Sequence, residues 1–142
     1  MSETPQRAET KPVILITGCS TGIGRHCAFA MQRHGWRVFA TARQPQDVEA
    51  LQHDGLDDAL RLDVDDDASI QRAVDTLLGR TNGRIDAVFN NAGFGQPGAV
   101  EDLPREALRA QFETNVLGAQ AVIRTVLPAM RAQGHGRIVQ HS

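Results

Sequence analysis

Three glycines carry the first chemical signal in this chain. Gly18, Gly22 and Gly24 stand in the stretch Thr17-Gly18-Cys19-Ser20-Thr21-Gly22-Ile23-Gly24. The apolar run Val13-Ile14-Leu15-Ile16 precedes it, and a helical pattern reaching His34 follows. A buried strand, a glycine turn and a helix start, in that order, present free backbone N–H groups at a helix N-terminus. The helix dipole favours negative charge there, so a pyrophosphate can sit against those groups. The spacing Gly18-x-x-x-Gly22-x-Gly24 is longer than the common G-x-G-x-x-G but meets similar demands. One glycine permits the tight turn, one lets phosphate approach the backbone, and one lets helix pack on strand. Ser20 and Thr21 add hydroxyl donors to the turn.

Four further positions have residue types suited to a ligand site, and each also has a plain structural reading. Arg43 follows the second apolar strand pattern and is either an anion partner or an exposed surface charge. Asp63 stands at a strand's carboxyl end, beside Val64, and is either a ligand contact or a helix cap. Asn90, Ala92 and Gly93 are either a ligand wall or a glycine turn closed by asparagine side chains. Asn115 lies inside an apolar helical stretch, where its amide competes for backbone groups. By residue type alone it reads as a core polar group with satisfied partners.

The elements that must position these residues follow from the hydrophobic pattern. Strands are expected over Val13 to Thr17, Arg37 to Ala42, Ala59 to Asp63 and Ala87 to Asn90, with a fifth beginning at Arg137 to Gln140. Helices are expected over Gly22 to His34, Gln46 to His53, Ala68 to Thr81 and Arg105 to Gln133. Ile23, Cys27, Ala30, Met31 and His34 share one face of the first helix, and Gly35 suits the position that ends it. Asp65, Asp66 and Asp67 suit the N-terminus of the third, Pro104 suits the first turn of the fourth, and Pro128 is its expected kink. Alternating strands and helices imply parallel βαβ units with right-handed crossovers.

Composition narrows the function classes. A formal net charge of −2 offers no electrostatic drive toward nucleic acid or anionic membrane. No apolar run approaches the roughly 18 residues of a membrane span, so no transmembrane segment is expected. Met1 to Lys11 is polar and lacks a signal-peptide core, and is expected to be a disordered tail. The two cysteines, Cys19 and Cys27, have no metal or disulfide-framework spacing, which suits reduced thiols in a cytoplasm. The five histidines, His26, His34, His53, His135 and His141, show no ligand spacing and read as surface or partly buried residues.

Taken together the motifs resemble the short-chain dehydrogenase/reductase family. Thr17 to Gly24 is similar to its TGxxxGIG signature, and Asn90-Asn91-Ala92-Gly93 to its NNAG motif. Asn115-Val116 with Gly118, Leu127-Pro128-Ala129-Met130 and Gly136-Arg137-Ile138-Val139 also resemble family segments, in order, from about Pro12 to Ser142. The Thr-Gly-Cys-Ser start, the Ala-Thr-Ala-Arg segment and Leu62-Asp63-Val64 look most like the branch that includes 17β-hydroxysteroid and retinol dehydrogenases.

The resemblance implies an α/β Rossmann-type, doubly wound parallel sheet over residues 12–142, incomplete at five strands in the order 3-2-1-4-5. It implies a nicotinamide dinucleotide held by Gly18, Ser20, Thr21, Gly22, Ile23, Gly24, Arg43, Asp63, Val64, Asn90, Ala92 and Gly93. NAD-binding sites commonly carry an acid about 20 residues beyond the glycines, for the ribose hydroxyls. Here Ala42 takes that place and Arg43 follows. Arginine can pair with a 2′-phosphate that an acid would repel, so NADP(H) is favoured, with NAD(H) as the alternative. The resemblance makes Asn115 the proton-relay asparagine, near a catalytic lysine. It makes the substrate a small alcohol or carbonyl compound, steroid-like or otherwise hydrophobic, and the full-length protein a homo-oligomer.

The family's reaction also needs a serine after the fifth strand and a Tyr-x-x-x-Lys motif. Tyrosine is the acid/base, lysine lowers its pKa, and serine polarises the substrate oxygen. This chain contains no tyrosine, and Ser142 precedes the expected catalytic serine position. The expectation is therefore an N-terminal, cofactor-binding part of an oxidoreductase. The alternative is a catalytically inactive nucleotide-binding or subunit-interaction module.

Overall fold

The computed structural model describes residues 10–141. The expected tail lies, through residue 9, outside the described residues, as does Ser142. Five parallel strands form one sheet: Val13–Ile16 (β1), Arg37–Ala42 (β2), Leu60–Arg61 (β3), Ala87–Asn90 (β4) and Arg137–Gln140 (β5). Their order is β3-β2-β1-β4-β5, as the resemblance implies. β1 is central, with Ile14 registered against Val38 on one side and Ala87 on the other.

Period-two alternation divides the core between the two faces of the sheet. Val13, Leu15, Phe39 and Val88 pack with Ile70, Val74, Leu77, Val122 and Val126. Ile14, Ile16, Val38, Ala40 and Ala87 pack with Ala28, Leu51 and Leu56. Burial on both faces explains why β1 reads as an unbroken apolar run. Each fully buried Leu or Ile contributes about 1.5–3 kcal/mol.

The helices are Gly22–Arg33 (α1), Pro45–His53 (α2), Asp67–Arg80 (α3), Arg105–Phe112 (α4) and Ala119–Gln133 (α5). Four local readings change. The buried face of α1 is Gly24 and Ala28, flanked by half-buried Cys27 and Met31, while Ile23 is 56% exposed. Small residues let α1 lie close to the sheet, which turns Ile23 outward. β3 is shorter than expected because Asp63 turns away from the ladder, its N–H donating to the Ser69 hydroxyl at 3.0 Å. The helical stretch from Arg105 keeps its extent, but Glu113–Gly118 is widened into a π-helical segment between α4 and α5. Pro104 caps α4 rather than entering it, and Pro128 lies inside α5.

Candidate active-site cleft

A cleft of about 950 Å³ opens along the carboxyl ends of β1, β2 and β4, between the start of α1 and the face of α4. That volume is near the upper end of the ~300–1,000 Å³ typical of ligand pockets. Gly18, Ser20, Thr21, Gly22 and Ile23 line one wall. Gly18 and Gly22 hold left-handed φ values of +69° and +59°, which favour glycine. A Cβ at Gly18 would lie 2.8 Å from the Ala92 Cα. At Gly24 it would run into the Gly18 carbonyl and the Asn91 amide. Gly24 does not line the cleft; it sets how closely α1 approaches the strand.

The N-terminus of α1 is left open. Thr21 precedes the helix, its hydroxyl makes no capping bond, and the first turn carries no acid. The turn before it is rigidly tied. The Thr17 hydroxyl accepts the Asn91 and Ala92 N–H groups, both at 3.0 Å. The Asn91 amide donates to the Thr17 and Gly18 carbonyls at 3.2 and 3.0 Å. The Cys19 N–H donates to the Thr41 carbonyl at 2.7 Å, fastening the turn to β2. Burial pushes the Cys19 thiol up to about 12, against the opposing effect of the Thr41 backbone contact. The thiol donates to the Ile16 carbonyl and is a packing group, not a nucleophile.

Arg43 is exposed at the cleft rim, and its carbonyl accepts the Arg61 Nε–H at 3.1 Å. Asp63 and Val64 also line the cleft. Asp63 is not the helix cap: its Oδ1 accepts the Asp65 N–H, while Asp66 caps α3 by accepting the Ala68 N–H at 2.9 Å. Val64 is buried beneath the π segment, where a Cβ on Gly118 would lie 2.7 Å from the Val64 carbonyl.

The two neighbouring asparagines go separate ways. Asn90 is 4% exposed, and its amide donates to the Ala119 carbonyl at 3.1 Å and to Gln140 at 2.6 Å, away from the cleft. Asn91, Ala92 and Gly93 form the wall. Strand alternation carries the signal: Asn90 shares the face of Val88, which packs against α5.

Asn115 is half-buried in the π segment, not a core residue. Its Oδ1 accepts the Phe94 N–H at 3.0 Å and its Nδ2 donates to the Phe94 carbonyl at 2.8 Å. A Cβ on Gly93 would lie 2.7 Å from that Oδ1, so glycine is needed for the approach. Asn115 thus holds the cleft loop rather than lining the cleft. Its neighbour Thr114 holds the opposite wall, donating to the Asp65 carboxylate at 2.8 Å. The sequence placed Thr17 and Asn91 inside motifs without singling out either side chain, and assigned no role to Thr114 or to His141, which lines the cleft from the end of β5.

The comparisons agree with this geometry. Residues 12–142 match the short chain dehydrogenase family. The chain belongs to that family. An uncharacterized oxidoreductase of Escherichia coli, YbbO, is 40% identical over 129 residues, covering 91% of this chain and 48% of its own length. Human 17-beta-hydroxysteroid dehydrogenase type 1 is 33% identical over 140 residues, covering 91% of this chain and 42% of its own. It stands in the branch that the sequence resemblance indicates. A variant of actinorhodin polyketide ketoreductase with NADPH superposes with a TM-score of 0.84 at 33% identity, covering 92% of this chain and 52% of its own. The chain spans about half the length of the curated relatives it matches. No helix among the described residues is long and apolar enough to cross a membrane.

Proposed function

We propose that this chain is the cofactor-binding part of an NADP(H)-dependent oxidoreductase acting between a secondary alcohol and a ketone. The carrying observation is the uncapped, acid-free N-terminus of α1, opening into a cleft that has Arg43 at its rim. The residues fit a dinucleotide: left-handed glycines at 18 and 22 shape the turn, and the start of α1 meets the cleft with neither a side-chain cap nor an acid. In this reading Gly18 to Gly24 hold the pyrophosphate, with Ser20 and Thr21 adding hydroxyl donors. Arg43 pairs with the 2′-phosphate, and Asp63 and Val64 flank the adenine. Asn91 to Gly93 form the nicotinamide-side wall, and Asn115 positions the loop after it through Phe94. When bound, the nicotinamide supplies or accepts the hydride. The NADPH of the ketoreductase relative supports the same cofactor here.

Residues 12–142 form the Rossmann unit in this reading. These 142 residues contain no tyrosine and so supply no tyrosine acid/base. That fact favours a second reading, a module that binds nucleotide without turning over substrate. Exposed Leu108 and Phe112 of α4, with Val116 and Leu117 of the π segment, give this surface the apolar character of a homo-oligomer contact. The free thiols of Cys19 and Cys27 suit a reducing cytoplasm.

Fluorescence titration of wild type and Arg43→Asp with NADPH and NADH tests the cofactor reading. The expected result is about a tenfold loss for NADPH with little change for NADH. Equal losses for both would remove Arg43 from its role. Ketone reduction by the 142-residue chain alone would reject the binding-only module.

A further inference from the structure

His141 stands at the carboxyl end of β5, where its N–H donates to the Asn90 carbonyl at 3.0 Å. Its ring lies 6.2 Å from that of Phe89, and its Nδ1 is 3.0 Å from the Asn91 Oδ1. The Asn91 amide decides which way the proton faces. Its Nδ2 donates to the Thr17 and Gly18 carbonyls, so its Oδ1 is the atom turned to His141. An amide oxygen only accepts, so Nδ1 carries the hydrogen and the neutral ring leaves Nε2 with a free lone pair. His141 is exposed and lines the cleft.

The sheet order fixes which part of a ligand Nε2 would meet. β5 and β2 are three strand spacings apart, about 14 Å at ~4.8 Å per strand. Arg43 follows β2, and the open start of α1 lies between the two. A dinucleotide with its 2′-phosphate at Arg43 and its pyrophosphate at α1 carries its other half toward β5.

Resting on the NADP(H) reading above, we propose that His141 is a cofactor-contact residue. Its Nδ1–H is held by Asn91, and its Nε2 accepts a hydrogen bond from an O–H or N–H of the nicotinamide half. The same contact links the far end of the cleft to the glycine turn, because Asn91 holds both. The residue that grips the pyrophosphate turn thereby also orients the imidazole.

Nitrogen NMR of the full 142-residue chain tests this directly, in alkaline buffer where imidazole is neutral. The free chain is expected to show the Nδ1–H tautomer at His141; the Nε2–H tautomer would overturn the proposal. On adding NADP⁺, the Nε2 resonance is expected to move together with the amides of Gly18 to Gly24. Glycine amides that move while Nε2 stays fixed would overturn the His141 contact alone. No movement in either would overturn the NADP(H) reading and this contact with it. Variants provide an independent check. In His141→Asn the side-chain amide can replace the Nδ1 donor but not the Nε2 acceptor. About five- to tenfold weaker NADPH binding is expected there, with unchanged affinity for 2′-phospho-AMP, which lacks the nicotinamide half. In His141→Gln, whose amide reaches the Nε2 position, NADPH affinity is expected within about twofold of wild type. Equal losses for both ligands in His141→Asn, or none for either, would contradict a nicotinamide-side contact.

Discussion

Two helices, α1 and α3, begin at the same edge of the sheet and treat their N-termini in opposite ways. α3 closes its own. Asp66 accepts the Ala68 N–H, Asp67 sits in the first turn, and Ser69 accepts the Asp63 N–H. α1 leaves its first turn without a side-chain cap or an acid, and places a left-handed glycine at its start. A cap contributes about 0.5–2 kcal/mol, so α1 forgoes stability that α3 takes. The orphan N–H groups of α1 face a cleft, and those of α3 are used within the chain. The contrast separates a helix start shaped for an anion from one shaped for folding, although both follow a strand and a short turn.

The largest effect expected is from Gly24→Val, which drives a branched side chain into the Gly18 carbonyl and the Asn91 amide. Overpacking of this kind costs about 1–3 kcal/mol, and separation of α1 from the strand should lower NADPH affinity by about a hundredfold. Thermal denaturation and fluorescence titration would register both; wild-type behaviour would show that the helix does not need the close approach. Thr21→Asp makes α1 resemble α3. It should raise stability by about 1 kcal/mol while weakening NADPH binding roughly tenfold, because the new acid occupies the donors and repels phosphate. Parallel changes in stability and affinity would break the contrast. Asp66→Ala makes the reverse comparison. It should cost about 1 kcal/mol in a denaturant melt and leave NADPH affinity within about twofold.

The smallest expected effect lies at the opposite edge of the sheet. Burial works against the Asp86 charge, but the Val13 N–H, His135 and Arg84 outweigh it and hold the carboxyl below its ordinary value. A carboxylate whose folded pKa is depressed stabilises the fold above its unfolded pKa, near ~3.9, and loses that contribution as pH falls through the folded value. Stability should therefore decline below about pH 4. Asp86→Asn should show a shallower decline in acid unfolding curves, and an identical curve would remove Asp86 from the account.

Much of this was legible in the sequence because the central strands β1, β2 and β4 are buried on both faces. Arg37–Ala42 and Ala87–Asn90 could be bounded by apolar content and turn signals alone, and the glycine turn by its place between strand and helix. The face of α1 was not, because side-chain size matters there more than hydrophobicity: Gly24 and Ala28 go inward and Ile23 outward. The π segment left no mark in residue type, since it depends on how Gly118 meets Val64 and Asn115 meets Phe94. Asn90 and Asn91 look equivalent as letters, and only the alternation of β4 separates a core partner of α5 from the cleft residue. His141 carries no spacing signal because its partner, Asn91, lies far off in the chain.

The central claim is that α1, not α3, offers its N-terminus to the cofactor. Amide NMR during an NADPH titration reads both helix starts in one experiment. The amides of Gly22, Ile23 and Gly24 should shift strongly, while those of Asp67, Ala68 and Ser69 stay close to their free positions. Larger shifts at α3, or none at α1, would contradict the account.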